Sequence, residues 1–372
     1  MRKKDNIFIN VEKSSFCPKN PLIIAELGTS HNANINKAKE MVNAAADTGA
    51  DCVKFQMVFA DEILHPKTGE VDLPGGKIRL YDKFKALETP VEFYERIKEY
   101  VESKGLLFLC TPFGMKSAEI LRKIQPKIVK IASPELNYTG LLEEIAIWGL
   151  PVLLSSGVSR LSDIETAVSI LKQASQLCLL HCVTAYPAPE TDYNLNVLPN
   201  LAAVFGVPIG VSDHSADPEL VPALSICMGA SVIEKHFCLS KTDPGLDDPI
   251  ALPPDEFSRM VRAVRKAVKD GPQETLAFYS RERGEDLVQK VLGSGVKELA
   301  PSEEANYSRT NRSIHALRDI QKGEVLKKSD YAVLRTEKIL RPGLEPCWEK
   351  QIEGRIVRNL IPNGEGIRFE DI

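Results

Sequence analysis

The sequence predicts an α/β fold, a (β/α)8 TIM barrel followed by a small, mainly β domain. Its basis is a set of eight short apolar runs rich in Val, Ile and Leu, helical periodicity between most of them, and a change near residue 309 to short strands and Gly turns with no long helix.

In order, the runs are LIIAELG (22–28), CVKFQMV (52–58), LLFLCTPF (106–113), IVKIASP (128–134), PVLLSSG (151–157), LCLLHCV (177–183), PIGVSDH (208–214) and SVIEKHF (231–237). Near-continuous apolar character marks strands buried on both faces, as in a parallel sheet covered by helices. Between them, NKAKEMVNAAADTGA, PVEFYERIKEYVESKG, LSDIETAVSILKQA and DPELVPALSICMGA open on polar or Pro residues and often close at Gly, the ordinary signals of helix start and stop. Eight such units favour closure into a barrel. An open, doubly wound sheet is the alternative, and the lack of GxGxxG or GxxxxGK[ST] after any run counts against its nucleotide-binding forms.

The segment 59–90, with HPKTGEVDLPGGK, is too long for an ordinary connection and reads as a wall or lid of a site, a plain surface insertion being the alternative. A helix near 254–270 completes a barrel domain spanning 1–272, a charged linker covers 273–308, and the small domain covers 309–372. The 372 residues leave room for a barrel of about 250 residues and one small domain.

At 43% hydrophobic, 26% charged and a formal charge of −4, the chain has the composition of a soluble globular protein, and nucleic acid is not an expected partner. MRKKDNIFINVEKSS lacks the apolar run of a signal peptide, and no stretch reaches about 18 apolar residues, so the expectation is a cytoplasmic protein without membrane attachment. The eight cysteines form no CxxC pair, and Cys52, Cys110, Cys178 and Cys227 sit in apolar runs as buried thiols.

Catalytic groups of a parallel barrel collect at the strands' C-terminal ends, so polar residues there are the candidates. They are Glu26 in the first run, Lys54 and Gln56 on one face of the second, Thr111 in the third, and Lys130, Ser133 and Glu135 at the fourth. The sixth leads into His181, Thr184 and Tyr186, the seventh into Ser212, Asp213 and His214, and the eighth into Glu234, Lys235 and His236. An ammonium inside a barrel needs an anion beside it. Lys54 and Lys130 with the hydroxyls of Thr111, Ser133 and Ser212 therefore point to a bound phosphate or carboxylate, or else to salt bridges with Glu26 or Glu234. His214 and His236 end adjacent strands and can share one divalent cation, or simply pair by hydrogen bonds. His31 reads as a loop or substrate contact; His65 and His315 read as surface residues.

The motifs IAELGTSHN, GADCVKFQ, TPF, KIAS, SSG, HCVTAYPAP with NLN, GVSDH, GASVIEKHF and PGLD, then RSI, KGEVL and RPG, follow one another along nearly the whole chain. In that order they resemble the N-acetylneuraminate (sialic acid) synthase family with its pseudaminic, legionaminic and spore-coat polysaccharide relatives. The resemblance implies a barrel with a C-terminal antifreeze-like (SAF) domain, and a transferase that condenses phosphoenolpyruvate with an N-acetylated amino-sugar aldehyde and releases phosphate. It implies a divalent metal, typically Mn²⁺ with Mg²⁺ or Co²⁺ as alternatives, held by His214 and His236. It also implies a domain-swapped homodimer whose tail reaches the partner's barrel. Carried over by position, Lys54, Thr111, Lys130, Ser133 and Ser212 would contact phosphoenolpyruvate. Glu26, Gln56, Glu135, Tyr186, Asp247 and Arg341 would face the sugar, with Glu26 and Glu135 handling protons or orienting hydroxyls. Lys54 and Lys130 would stabilise the departing phosphate. The chain departs from the family pattern at Ser30, Ala33, Pro134, Thr184 (read as a substrate contact) and in PGLDDP, which keeps Asp247; most of these positions lie near the sugar side and leave the acceptor open.

Overall fold

The structure is a computed structural model that describes residues 8–73, 76–337 and 339–372. Eight parallel strands fall on the eight predicted runs: β1 (Leu22–Gly28), β2 (Cys52–Met57), β3 (Leu107–Pro112), β4 (Val129–Ile131), β5 (Pro151–Ser155), β6 (Gln176–Cys182), β7 (Ile209–Asp213) and β8 (Val232–His236). Their ladder order is β3-β2-β1-β8-β7-β6-β5-β4, and the terminal strands β3 and β4 pack side by side, so the sheet is a nearly closed barrel.

Strand alternation sorts the apolar side chains into two cores. Ile23, Val53, Phe55, Val129, Leu154 and Ile233 face the helix layer, whereas Leu22, Ile24, Leu109, Leu153, Leu180 and Val232 fill the barrel interior. Each fully buried side chain of this kind stabilises the fold by about 1.5–3 kcal/mol relative to exposure. The interior has no room for more at Gly210, where an added Cβ would lie 2.4 Å from the Val232 carbonyl oxygen and 2.7 Å from Leu180. Ile9, Val11 and Phe16, on a hairpin (Ile9–Val11 with Ser14–Phe16), belong to the same inner cluster. Asn10 N–H donates to Gln176 Oε1 (2.6 Å) at the start of β6, so the hairpin plugs the barrel at the strands' N-terminal ends. With apolar residues filling that end, the polar groups are left at the other.

The helices follow the same logic. The helix Ile35–Asp47 is capped by Asn34, whose Oδ1 accepts from the Asn36 and Lys37 amides, and it buries Ala38, Met41, Val42 and Ala45 at helical spacing. The stretch 273–308 is not a plain charged linker: it carries helices Pro272–Arg283 and Glu285–Leu292, which bury Thr275, Tyr279, Val288, Val291 and Leu292. The charged residues of these helices are mostly exposed, and they dominate the composition of the stretch.

The tail is a small β unit. Strands β9 (Arg312–Ala316) and β10 (Tyr331–Arg335) pair antiparallel, isolated bridges tie Ile320 to Ile361 and Val325 to Ile356, and its α-helix, Glu349–Ile352, has four residues. It packs on the barrel of its own chain: Asn137 Nδ2 donates to the Arg312 carbonyl (2.9 Å) and the Arg312 amide donates to Asn137 Oδ1 (3.0 Å). The segment 59–90 folds as short helices and a hairpin (Glu70–Leu73 with Gly76–Arg79) and also meets the tail, through a bridge between Leu64 and Arg335.

That junction overturns the surface reading of two histidines. His65 is buried, with Nε2 2.9 Å from Asn363 Oδ1, and His315 is wholly buried between the Gly364 carbonyl and the hydroxyls of Ser313 and Thr336. Both lie where tail and barrel segments meet, a juxtaposition that the sequence pattern does not contain. Among the described residues no helix is long and apolar enough to cross a membrane.

Candidate active site

The polar ends of the strands converge because neighbouring strands are in register. Thr111 sits opposite Gln56, Lys54 opposite Glu26, and Glu26 opposite His236; Glu234 sits opposite Ser212, and Ser212 opposite Cys182. These side chains surround a cavity of about 50 Å³ at the barrel mouth, lined by Glu26, Lys54, Gln56, Lys130, Ser133, Ser155, Cys182, Thr184, Tyr186, Ser212, His214, Glu234 and His236.

Both lysines are almost completely buried. Lys54 Nζ donates to Glu234 Oε1 (2.7 Å) and lies 3.5 Å from Glu26 Oε2; burial opposes its charge, but Glu234 and Glu26 hold it above its ordinary range. Lys130 Nζ donates to Ser155 Oγ (2.6 Å) and to the Ile131 carbonyl (3.2 Å), with Glu234 at 3.9 Å. Burial pulls Lys130 down to about 8 despite Glu234. Glu26 is raised, first by burial and then by Glu234 against the opposing Lys54, and its Oε1 accepts from Gln56 Nε2 (2.6 Å). The salt-bridge alternative for the lysines is therefore present as carboxylate contacts, yet Lys130 is left with hydroxyl and carbonyl partners and a carboxylate only at the edge of contact. One buried oxygen each of Glu26, Glu234 and Thr111 has no hydrogen-bond partner, which leaves donors and acceptors available to a polar ligand.

The histidines stand at the same mouth. His214 Nδ1 lies 2.9 Å from the Val183 carbonyl, an acceptor, so Nδ1 carries the hydrogen and Nε2 is the nitrogen left for a ligand. The rings of His214 and His236 are 5.4 Å apart, and Tyr186, half-exposed, stacks on His214 at 4.4 Å. Burial, then the neighbouring His214, hold His236 well below its ordinary range, which keeps a lone pair available. Asp247 Oδ2 is 3.8 Å from His236 Nδ1. Among the described residues no group of three or more His, Cys, Asp or Glu side chains forms a metal cage. The donor set suits an open site in which two imidazoles leave the remaining positions to substrate and water.

Ten of the fourteen positions given a role by the family resemblance line the cavity. Thr111 is adjacent on β3, and Asp247 is behind His236. The other two lie elsewhere. Glu135 is wholly buried and faces the tail, where its Oε1 accepts from Arg312 and Arg335. Arg341 bonds within its own tail, to the Gly366 carbonyl (2.8 Å) and to Asp371 (2.6 Å). His31 is buried against Phe93, with ring centroids 4.7 Å apart. Of the polar lining residues, Ser155 and Cys182 were not singled out by the sequence, and Glu234 appeared there only as a strand-end residue and salt-bridge partner. Strand alternation carries a signal for the last two, since Glu234 shares a face with His236 and Cys182 shares one with Leu180 of the inner core.

Residues 41–273 match the model of the NeuB family, and residues 311–372 match that of the SAF domain. The chain is 35% identical to the spore coat polysaccharide biosynthesis protein SpsE of Bacillus subtilis, covering 94% of this chain and 93% of the other. The crystal structure of that Bacillus protein superposes with a TM-score of 0.81 at 32% identity, covering 98% of this chain and 99% of the other. An N,N'-diacetyllegionaminic acid synthase of Legionella pneumophila is 34% identical over 94% of both chains. A pseudaminic acid synthase of Campylobacter jejuni is 31% identical, covering 95% of this chain and 97% of the other.

Proposed function

The chain belongs to the NeuB family of sialic-acid-type synthases, and on that premise we propose that it condenses phosphoenolpyruvate with an N-acetylated amino-sugar aldehyde, releasing phosphate and forming a nonulosonate. The observation that carries this reading is one cavity holding two buried ammonium groups, Lys54 and Lys130, beside the imidazoles of His214 and His236. A trianion such as phosphoenolpyruvate would take over the lysines from Glu26 and Glu234, with Ser133, Thr111 and Ser212 as hydroxyl partners. The same ammonium groups would then stabilise charge on the departing phosphate.

A divalent cation, Mn²⁺ or else Mg²⁺ or Co²⁺, would be held by His214 and His236, and when bound would supply Lewis-acid polarisation of the sugar aldehyde. Glu26, with its raised pKa, is suited to pass a proton or orient a hydroxyl there. Gln56, Thr184, Tyr186 and Asp247 would position the sugar. Glu135 would act on the sugar only after release from its arginines. Arg341, which does not line the cavity of its own chain, would reach a partner's barrel in a domain-swapped homodimer. The boundaries 1–272, 273–308 and 309–372 and a cytoplasmic location complete the proposal. Relatives named as synthases of diacetylated legionaminic acid and of pseudaminic acid support a diacetamido hexose as acceptor, ahead of N-acetylmannosamine or its 6-phosphate.

Phosphate release by metal-stripped protein with phosphoenolpyruvate, Mn²⁺ and single 2-acetamido or diacetamido hexoses tests the proposal. Release that needs both metal and one particular sugar is the expected result. Release without any sugar points to another lyase chemistry, and no release despite tight phosphoenolpyruvate binding points to a non-catalytic relative.

A further inference from the structure

The segment before the tail places a fully buried carboxylate against the two loops that form one wall of the cavity. Glu303 is 1% exposed, and its Oε1 accepts from the Val158 amide (2.7 Å) and from the Thr184 amide (2.6 Å). Its Oε2 accepts from the Ala300 amide at 3.3 Å, the longest of the three contacts. The two barrel amides follow β5 and β6 and have no strand partner at those positions, so the carboxylate replaces a missing ladder.

What those amides carry is unusual. Val158 has φ +42, a left-handed conformation that a β-branched residue adopts only when its surroundings impose it. Its carbonyl accepts from Asn311 Nδ2 (3.0 Å), so both its polar backbone groups are held from the same segment. Next to it, the Gly157 amide donates to Ser133 Oγ (3.0 Å), and a Cβ on Gly157 would fall 2.1 Å from Thr184 Oγ1 and 2.9 Å from Ser133 Oγ. Ser133 and Thr184 line the cavity. The turn at 157–158 thus packs directly behind two site hydroxyls, and its strained shape depends on Glu303 and Asn311.

We propose that Glu303 is a positioning residue: it holds Val158 in its left-handed conformation and ties the loops after β5 and β6 together, which sets Ser133 for the anionic substrate and Thr184 for the sugar. Glu303 touches no reacting atom, and its effect passes through the backbone. This inference rests on the phosphoenolpyruvate reading of the cavity.

The test is calorimetric titration of phosphoenolpyruvate into the full-length protein and into Glu303→Gln, Glu303→Ala, Glu303→Ala with Val158→Gly, and Glu304→Ala, the last an exposed neighbour as control. An amide oxygen at 303 keeps both barrel contacts, so Glu303→Gln should bind within about threefold of the wild type, whereas Glu303→Ala should weaken binding by about tenfold or more. Glycine accepts positive φ freely, so Val158→Gly should restore much of the affinity lost in Glu303→Ala. In turnover, the loss should fall on KM for phosphoenolpyruvate more than on kcat. A merely structural role would lower the melting temperature and leave that KM unmoved, which overturns the proposal, as does Glu303→Ala binding within about twofold of the wild type or a double variant no better than Glu303→Ala. If Glu303→Ala does not fold, Glu303→Asp decides: a carboxylate one methylene shorter cannot reach both amides, and unchanged affinity overturns the proposal. Absence of binding by the wild type sinks the phosphoenolpyruvate reading itself, and this inference with it.

Discussion

Arg312, the first residue of β9, donates through Nε (3.1 Å) and Nη2 (2.9 Å) to one oxygen of Glu135, in the short turn Ser133–Glu135 that follows β4. Both side chains are fully buried, and the same guanidinium also donates to the carbonyls of Glu62 and Phe113. It is the polar centre of the tail's contact with the barrel. Removing one partner of a buried pair costs about 3–5 kcal/mol, because the other is left uncompensated. Arg335 stays on Glu135 at 2.8 Å and softens that loss. Arg312→Ala is therefore expected to lower the melting temperature and to expose the stretch 293–311 to limited proteolysis. Unchanged melting and digestion would show that the contact does not hold the tail.

Lys130 gives a prediction for alkaline pH. Burial lowers its pKa to about 8, so the ammonium is present below that pH and lost above it. On the proposed function, kcat/KM for phosphoenolpyruvate, which reports the free enzyme, should fall as pH rises through about 8. Lys130→Arg, whose charge persists, should move that limb to higher pH even if its activity is low. A flat profile to pH about 10, near the ordinary lysine value, would take the Lys130 charge out of substrate capture.

His236 tests the cation. His236→Ala should abolish phosphate release and weaken Mn²⁺ binding, followed directly by equilibrium dialysis, by about tenfold or more. Unchanged activity and metal content would remove His236 from the mechanism.

His315 links pH to stability of the tail. Burial lowers its pKa to about 4, against the Gly364 carbonyl that raises it, while an exposed histidine of the unfolded chain keeps its ordinary value of about 6.5. The native state therefore binds fewer protons than the unfolded chain between those values, so stability is full above about 6.5 and is lost as pH falls towards 4. The melting temperature should fall over that window, and His315→Gln, which keeps a polar side chain but cannot titrate, should flatten the dependence. A slope identical to the wild type would assign the acid loss to other groups, of which His31 and His181 are also buried and lowered.

The sequence by itself determined the barrel. Eight apolar runs with polar residues at their C-terminal ends leave little choice of architecture, because a parallel strand must be covered on both faces and its interior positions alternate strictly. The same alternation put Lys54, Gln56, Ser212, His214 and His236 at one end of the barrel, where they line a common cavity. Only the tertiary structure decided how distant segments meet: Arg312 on Glu135, His65 on Asn363, Glu303 on Val158 and Thr184. Periodicity reports which face of an element is buried, whereas these contacts depend on where loops and the tail land after the chain has closed the barrel. Buried polar groups such as Glu303 and Arg312 look like ordinary surface charges in a sequence, since their burial depends on partners such as Thr184 and Glu62, 119 and 250 positions away.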